Sequence, residues 1–383
     1  MTVYLDHAAG SPLRVEALEA MRPWLTTSFG NPSGGHAVAR RARRAVDEAR
    51  DAVAEVLGCD PGEVVFTGSG TEADNLAIFG VVAAAAGGGR PAGVACSAIE
   101  HPAVLESVEA VGGDVFAVDE RGAIDLGDLA KVIGPATGLV SVMLANNEVG
   151  TIQDLSSVAA VMADVAPAAV LHTDAVQAAP WLDVATLARP AQLVSVSGHK
   201  FGGPQGVGAL VIRRGVTVRP LLRGGGQERE RRSGTHNVAG IVGMAAALTA
   251  TSAEREVTAA RVARLRQRLV ANLGQRLDGV IESGAGGELL PGIANVRIPG
   301  VESESLLVLL DDAGVAASAG SSCASGAMAP SHVLAAMGVG RTDARTAIRL
   351  SLGRDTTEAD VDVAVAAIVA AGQRLRQAEP VGV

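Results

Sequence analysis

The sequence predicts an α/β fold built on a mainly parallel sheet, and three observations carry that expectation. Seven β-rich runs fall between residues 63 and 212: EVVFT (63–67), GVACSA (93–98), DVFAV (114–118), GLVSVMLA (138–145), AAVLHTD (168–174), LVSVSG (193–198) and VGALVI (207–212). Several are apolar throughout, as strands buried on both faces are. Helical patterns separate many of them, such as TEADNLAIFGVVAAAA (71–86) and SSVAAVMADVA (156–166), and this alternation points to βα units packed on a parallel sheet.

Further along, residues 251–279 read as one long helix. Val262, Leu265, Leu269 and Leu273 form its apolar stripe, with arginines on the opposite face. It is expected to link the large domain to a smaller C-terminal one. Two more strand-like segments follow, NVRIPG and RTAIRLSLG, and then a closing helix. Thr357 with Asp360 three residues on forms its capping box, and Val361, Val365 and Ile368 share one face. Residues 316–330, AASAGSSCASGAMAP, are nearly all small. With few side chains to anchor it, this stretch reads as a mobile loop whose one chemically distinctive residue is Cys323.

Composition excludes several functions. The 383 residues are 48% hydrophobic and 19% charged, an ordinary globular balance. Aromatics are only 2%, so Val, Leu, Ile and Ala must build the core. A formal net charge of −9 argues against a general nucleic-acid binder. No apolar run reaches the roughly 18–20 residues of a membrane span, and the N-terminus lacks the pattern of a signal peptide. Three dispersed cysteines, Cys59, Cys96 and Cys323, make neither a disulfide framework nor a zinc site. A reducing cytoplasm is the expected compartment.

Lysine is scarce: Lys131 and Lys200 are the only two. Arginine replaces lysine in an ion pair but not as an amine nucleophile. Lys131 sits on the polar face of an amphipathic segment. Lys200, in SVSGHKFGGPQGVG, follows a buried-looking strand, where desolvation can lower its pKa enough for a Schiff base. Asp174, in HTDAVQ, ends another apolar strand. Beyond that strand end a ligand can bind, and the carboxylate can keep a pyridinium nitrogen protonated, the condition for pyridoxal phosphate (PLP) to accept electrons; a helix cap is the plainer alternative. TGSGTEADN (67–75) suits a phosphate at a helix start. It also matches a dinucleotide fingerprint through Gly68, Gly70 and Ala73, with Glu100 as the acidic partner. That match supports a rival, a nicotinamide-dependent oxidoreductase, which leaves Lys200 and Cys323 without a role. His101 follows a third strand and can stack on a planar cofactor, move protons or cap a helix.

The strings YLDHAA, FGNPSGGH, TGSGTEADN, EHPAV, NNEVGTIQD, HTDAVQ, SGHKFGGPQGVGAL, GGGQERERRSGT and AIRLSLGR stand in the order found in cysteine desulfurases. Over essentially its whole length the chain resembles the NifS/IscS group of that family. The resemblance implies a fold-type I PLP-dependent transferase: a mainly parallel seven-stranded sheet with helices on both faces, plus a smaller α+β domain. It implies a large PLP-binding domain over 13–255 and a small one from 1–12 and 256–383 that carries the Cys323 loop. It further implies that Lys200 holds PLP as a Schiff base, Asp174 binds the pyridine nitrogen, and Gln177 and Asn147 bind near the ring hydroxyl. His101 would stack on the ring, and Gly70, Thr71, Ser197 and His199 would hold the phosphate. Thr235 would reach it from the second subunit of a homodimer. Arg349, helped by Asn31, would bind the carboxylate of L-cysteine.

The implied reaction converts L-cysteine to L-alanine. Lys200 removes the α-proton, and Cys323 takes the sulfur as a persulfide with His101 as a candidate proton acceptor. The acceptor would be an iron–sulfur scaffold or a tRNA- or cofactor-thiolation partner. Two features depart from the group: DHAAGSP (6–12) lacks paired threonines, and the loop reads AGSSCASGAMAP rather than Gly-Ser-Ala-Cys-Thr-Ser. Selenocysteine lyase or an aminotransferase-like activity on the same fold, and an inactive sulfur carrier, are the remaining alternatives.

Overall fold

The computed structural model describes residues 2–87, 89, 91–320 and 331–377. Cys323, and with it most of the expected 316–330 loop, lies outside the described residues. In chain order the first part comprises β1 (Val3–Tyr4), α1 (Val15–Thr26), α2 (Ala37–Leu57), β2 (Val64–Thr67), α3 (Gly70–Ala85), β3 (Gly93–Ser97), α4 (Pro102–Ala110), β4 (Asp114–Phe116) and α5 (Leu126–Val132). Next come β5 (Thr137–Ser141), α6 (Leu155–Val165), β6 (Val170–Asp174), α7 (Val184–Leu187), β7 (Leu193–Ser197), β8 (Gly208–Ile212) and α8 (Val238–Arg276). The remainder is β9 (Ile281–Glu282), β10 (Ile293–Arg297), α9 (Ser303–Asp312), β11 (Val315–Ala316), α10 (His332–Ala336), α11 (Arg341–Ala344), β12 (Ala347–Ser351) and α12 (Glu358–Gln377).

Strands β2 to β8 form a seven-stranded sheet in the order β2-β8-β7-β6-β5-β3-β4. Only β8 runs against its neighbours; the pairings among β7, β6, β5, β3 and β4 are all parallel. All seven are strands anticipated from the sequence. Strands β2, β5, β7 and β8 are buried at every position, which is why their sequences show no alternation. One apolar core, including Val64, Phe66, Val140, Leu171 and Val194, covers one face. A second, with Val65, Leu76, Ile78, Leu139 and Leu210, covers the other.

A separate core gathers around β10, β12, α9 and α12. Helix α8 runs through both regions. Ile241, Met244 and Leu248 pack on the large sheet, whereas Val262, Leu265, Leu269 and Leu273 pack in the separate core. Each such buried side chain contributes about 1.5–3 kcal/mol. The helix begins 13 residues before the start read from sequence: Asn237 caps it by accepting from Gly240 N–H at 3.0 Å. Its first turns are rich in Ala and Gly and buried, so they carry no amphipathic stripe. Helix α12 opens with the expected box, Thr357 N–H donating to Asp360 at 2.8 Å and Asp360 N–H to Thr357 at 3.2 Å. No helix among the described residues is long and apolar enough to cross a membrane.

The segment after β8 is held by a buried ion pair. Arg50 of α2 donates both terminal nitrogens to Glu228, at 2.6 and 2.7 Å, and the same carboxylate accepts from Phe66 N–H at 2.9 Å. His236 Nε2 lies 2.7 Å from it. The network holds Glu228, Arg229 and Glu230 at φ of 49°, 56° and 66°, a backbone region costing about 1–3 kcal/mol per non-glycine residue. Burial alone would raise the Glu228 pKa, but the bonds from His236 and Arg50 hold it down to about 2. A depressed carboxylate stabilises the fold above its ordinary range and loses that contribution as pH falls through about 2. Replacing Glu228 with Gln is therefore expected to cost about 3–5 kcal/mol in urea unfolding at neutral pH, with a gap to wild type that narrows in acid; equal midpoints would contradict it.

Candidate active site

The carboxyl ends of β3, β5, β6 and β7 and the start of α3 border a cavity of about 630 Å³. This is where ligands settle in open α/β sheets. Lys200 lies in the turn Gly198–Lys200 directly after β7. Its Nζ donates to the carbonyls of Ala8 at 2.5 Å and Ala9 at 3.1 Å. Gln177 Nε2 donates to the same Ala8 carbonyl at 2.7 Å. The N-terminal segment around Ala8 thus crosses the site. Ser351 of β12 secures it, its hydroxyl accepting from Ala8 N–H at 2.9 Å. Lys131 is exposed on α5 and does not line this cavity.

Asp174 ends β6 and is buried. Its Oδ1 accepts from Val176 N–H at 2.8 Å, while Oδ2 has no hydrogen-bond partner among the described residues. Burial raises its pKa, with His101 and Lys200 opposing. Asp74 of α3 also lines the cavity, and burial beside Asp174 drives its pKa well up. His101 caps α4, its Nδ1 accepting from Ala103 N–H at 3.1 Å; burial lowers its pKa. Beneath Asp174, His172 bridges Ser141 and Ser195 at 2.8 and 3.0 Å, and burial takes its pKa down to about 3.

At the other end of the cavity stand Gly70, Thr71, Ser197 and His199. A Cβ at Gly70 would lie 2.9 Å from Val176 and 3.2 Å from Ser197, so only glycine lets α3 start this close to β7. Ser197 Oγ and His199 Nδ1 are 2.9 Å apart. Burial, then Lys200, lower the His199 pKa to about 4. Arg349 enters from β12, 2% exposed. It donates to the Asn147 carbonyl at 3.0 Å and to Asp6 at 2.8 Å, and its buried Nε has no partner among the described residues.

The structure therefore gathers Lys200, Asp174, His101, Asn147, Gln177, Gly70, Thr71, Ser197, His199 and Arg349 around one cavity. It does not bring Asn31 or Thr235 there. Asn31 is exposed and makes a local turn, its side chain accepting from Ser33 N–H at 3.0 Å. Thr235 is exposed in the segment anchored by Glu228. Four titratable lining residues were not singled out from the sequence: Asp74, Glu106, Glu148 and His332. Glu148, inside the noted NNEVG string, accepts from the Ser331 hydroxyl and lies against Gly320, whose φ is +92° and where a Cβ would meet the carboxylate at 3.0 Å. The two described cysteines are poor nucleophiles. Burial raises Cys59 to about 11, and Cys96 is buried in β3 with its pKa raised by the same cause.

The nicotinamide alternative fails here. Glu100, its required acid, is fully buried rather than facing a ligand. Its Oε1 accepts from Ser97 Oγ and Met143 N–H, each at 2.7 Å, and burial pushes its pKa up to about 8.

The profile described as aminotransferase class-V matches residues 3–363. The chain belongs to this family. It is 39% identical to the cysteine desulfurase IscS of Dictyoglomus turgidum over 99% of this chain and 96% of the relative. A solved structure described as a NifS-like protein superposes with a TM-score of 0.89 at 36% identity, covering 97% and 99% of the two chains. SspA in complex with cysteine superposes at 0.79 with 31% identity, covering 92% and 99%. The class-V family depends on PLP, and the cavity fits that cofactor. The glycine-lined start of α3 offers N–H donors for a phosphate, Asp174 Oδ2 is open to a ring N–H, and Lys200 is the single lysine at the site.

Proposed function

We propose that this chain is a PLP-dependent cysteine desulfurase that converts L-cysteine to L-alanine and passes the sulfur to Cys323. The convergence of Lys200, Asp174 and Arg349 on one cavity carries the reading. Bound PLP supplies an electrophilic carbon for the substrate amine and a ring that stores an electron pair. Lys200 Nζ would hold the cofactor, and its amine would take the substrate α-proton. Asp174 Oδ2 keeps the ring nitrogen protonated, and Gln177 and Asn147 bind near the ring hydroxyl. His101 stacks against the ring. Gly70, Thr71, Ser197 and His199 hold the phosphate. Arg349 orients the substrate carboxylate: an orphaned buried N–H costs about 1–3 kcal/mol, which an incoming anion relieves. Arg349 also donates to the carbonyl of Asn147, beside Glu148.

With this reading go a cytoplasmic location, a division into large and small parts at residues 12 and 255, and a homodimer in which Thr235 of the partner subunit completes the phosphate site. The exposure of Thr235 and the rigid Glu228 anchor support that last assignment. Asn31 is assigned as an aid to carboxylate binding. The sulfur acceptor is an iron–sulfur scaffold or a thiolation partner. The test is turnover of L-cysteine by the yellow holoprotein with a thiol reductant. Alanine and sulfide in equal amounts are expected. Activity confined to selenocysteine would favour a lyase, and keto-acid formation a transaminase.

A further inference from the structure

The N-terminal segment that crosses the cavity also reaches Arg349. Residues 6–9 lie against β12, the strand that carries this arginine. Ser351, two positions past Arg349, donates its N–H to the Leu5 carbonyl at 2.7 Å, and its own carbonyl accepts from His7 N–H at 3.2 Å. The result is a parallel bridge between Asp6 and Ser351. The single tyrosine of the chain closes the segment, its hydroxyl at Tyr4 lying 3.0 Å from the carbonyls of Asp6 and of Gly10. A backbone held at both ends fixes where the Asp6 side chain stands. Its Oδ1 accepts from one terminal nitrogen of Arg349 at 2.8 Å, and the other terminal nitrogen donates to the Asn147 carbonyl at 3.0 Å.

A guanidinium carries two N–H groups on each terminal nitrogen. The two contacts use one on each and leave one on each, the number that two parallel bonds to a carboxylate require. Tied only to the Asn147 carbonyl, Arg349 would be free to swing about its side-chain torsions; the Asp6 bond fixes its plane. Asp6 is itself an anion, and a rival role is to occupy the arginine that the substrate needs. The two remaining N–H groups speak against it, as does exposure: the Asp6 side chain is 22% exposed against 2% for Arg349, so water screens its charge. We propose that Asp6 is a positioning residue, setting the plane of Arg349 so that the guanidinium presents its two remaining N–H groups to the carboxylate of the amino-acid substrate. The assignment rests on the proposed function. The same segment holds Lys200 through the carbonyls of Ala8 and Ala9, so one strap places both the amine and the carboxylate-binding group.

Binding of L-alanine to the holoprotein, followed by calorimetry, reads carboxylate recognition without turnover. Asp6→Ala should weaken it by ~10-fold, the scale of one hydrogen bond to a charged group, and raise KM for L-cysteine by a similar factor with kcat changed less. Asp6→Asn, whose amide oxygen still accepts from Arg349, should restore most of the affinity. Cysteamine has the amine and the thiol but no carboxylate, so it should bind wild type and Asp6→Ala alike, whereas general damage to the site would weaken both ligands. Where Asp6→Ala fails to fold or to take up the cofactor, Asp6→Glu gives the same reading. It keeps the charge, shifts the carboxylate by one methylene and should weaken L-alanine alone. Unchanged or tighter L-alanine binding, no rescue by Asn, or an equal loss for cysteamine overturns the assignment. Arg349→Gln separates this from the proposed function: if that variant binds L-alanine as wild type does, Arg349 is not the carboxylate site and the underlying reading falls as well.

Discussion

Replacing Asp174 with Asn is expected to lower cysteine turnover by ~10³-fold, the scale of removing a single electrostatic stabiliser from a reaction centre. Asp174 is anchored by Val176 N–H through Oδ1 and otherwise open to the cavity. Burial makes an isolated carboxylate costly there, so it needs a cationic partner. A protonated ring nitrogen is that partner, and its charge is what draws electrons from the substrate. Asn keeps the size and the Val176 contact but cannot hold a positive charge. The variant should bind the cofactor and fold normally while its rate collapses. Near-normal turnover would remove Asp174 from the reaction.

Replacing Cys323 with Ser is expected to abolish sulfide release while cofactor binding persists. A serine hydroxyl ionises far above neutral pH and cannot form a stable link to sulfur. The other two cysteines cannot substitute, since burial raises both thiols and neither lines the cavity. The check is sulfide and alanine from L-cysteine, with the visible absorbance as a control for loading. Unchanged turnover would show that sulfur leaves by a route without Cys323.

The large sheet was legible because strands buried on both faces leave uninterrupted apolar runs, and each of β2 to β8 falls inside its run except β5, which starts one residue earlier at Thr137. Residues at strand ends were legible for the same reason: once β6 and β7 are placed, Asp174 and Lys200 must share one rim. Helices α1 and α2 were not read. Helix α2 is arginine-rich, yet its buried stripe, largely alanine with Val46, Val53 and Leu57, recurs at helical spacing and was there to be read. His332 was hidden because only the fold brings it to the cavity, its Nε2 2.9 Å from a carbonyl 232 residues away in sequence. Asp74 reads as one acid on a helix until the fold sets it beside Asp174. Asn31 and Thr235 came from resemblance alone, and neither reaches the cavity within the chain.

The most direct measurement is mass spectrometry of the holoprotein after borohydride reduction. The account predicts the cofactor's mass on the peptide containing Lys200 and on no other. Lys200 unmodified in a reduced, cofactor-loaded protein, or the added mass on Lys131, would contradict it.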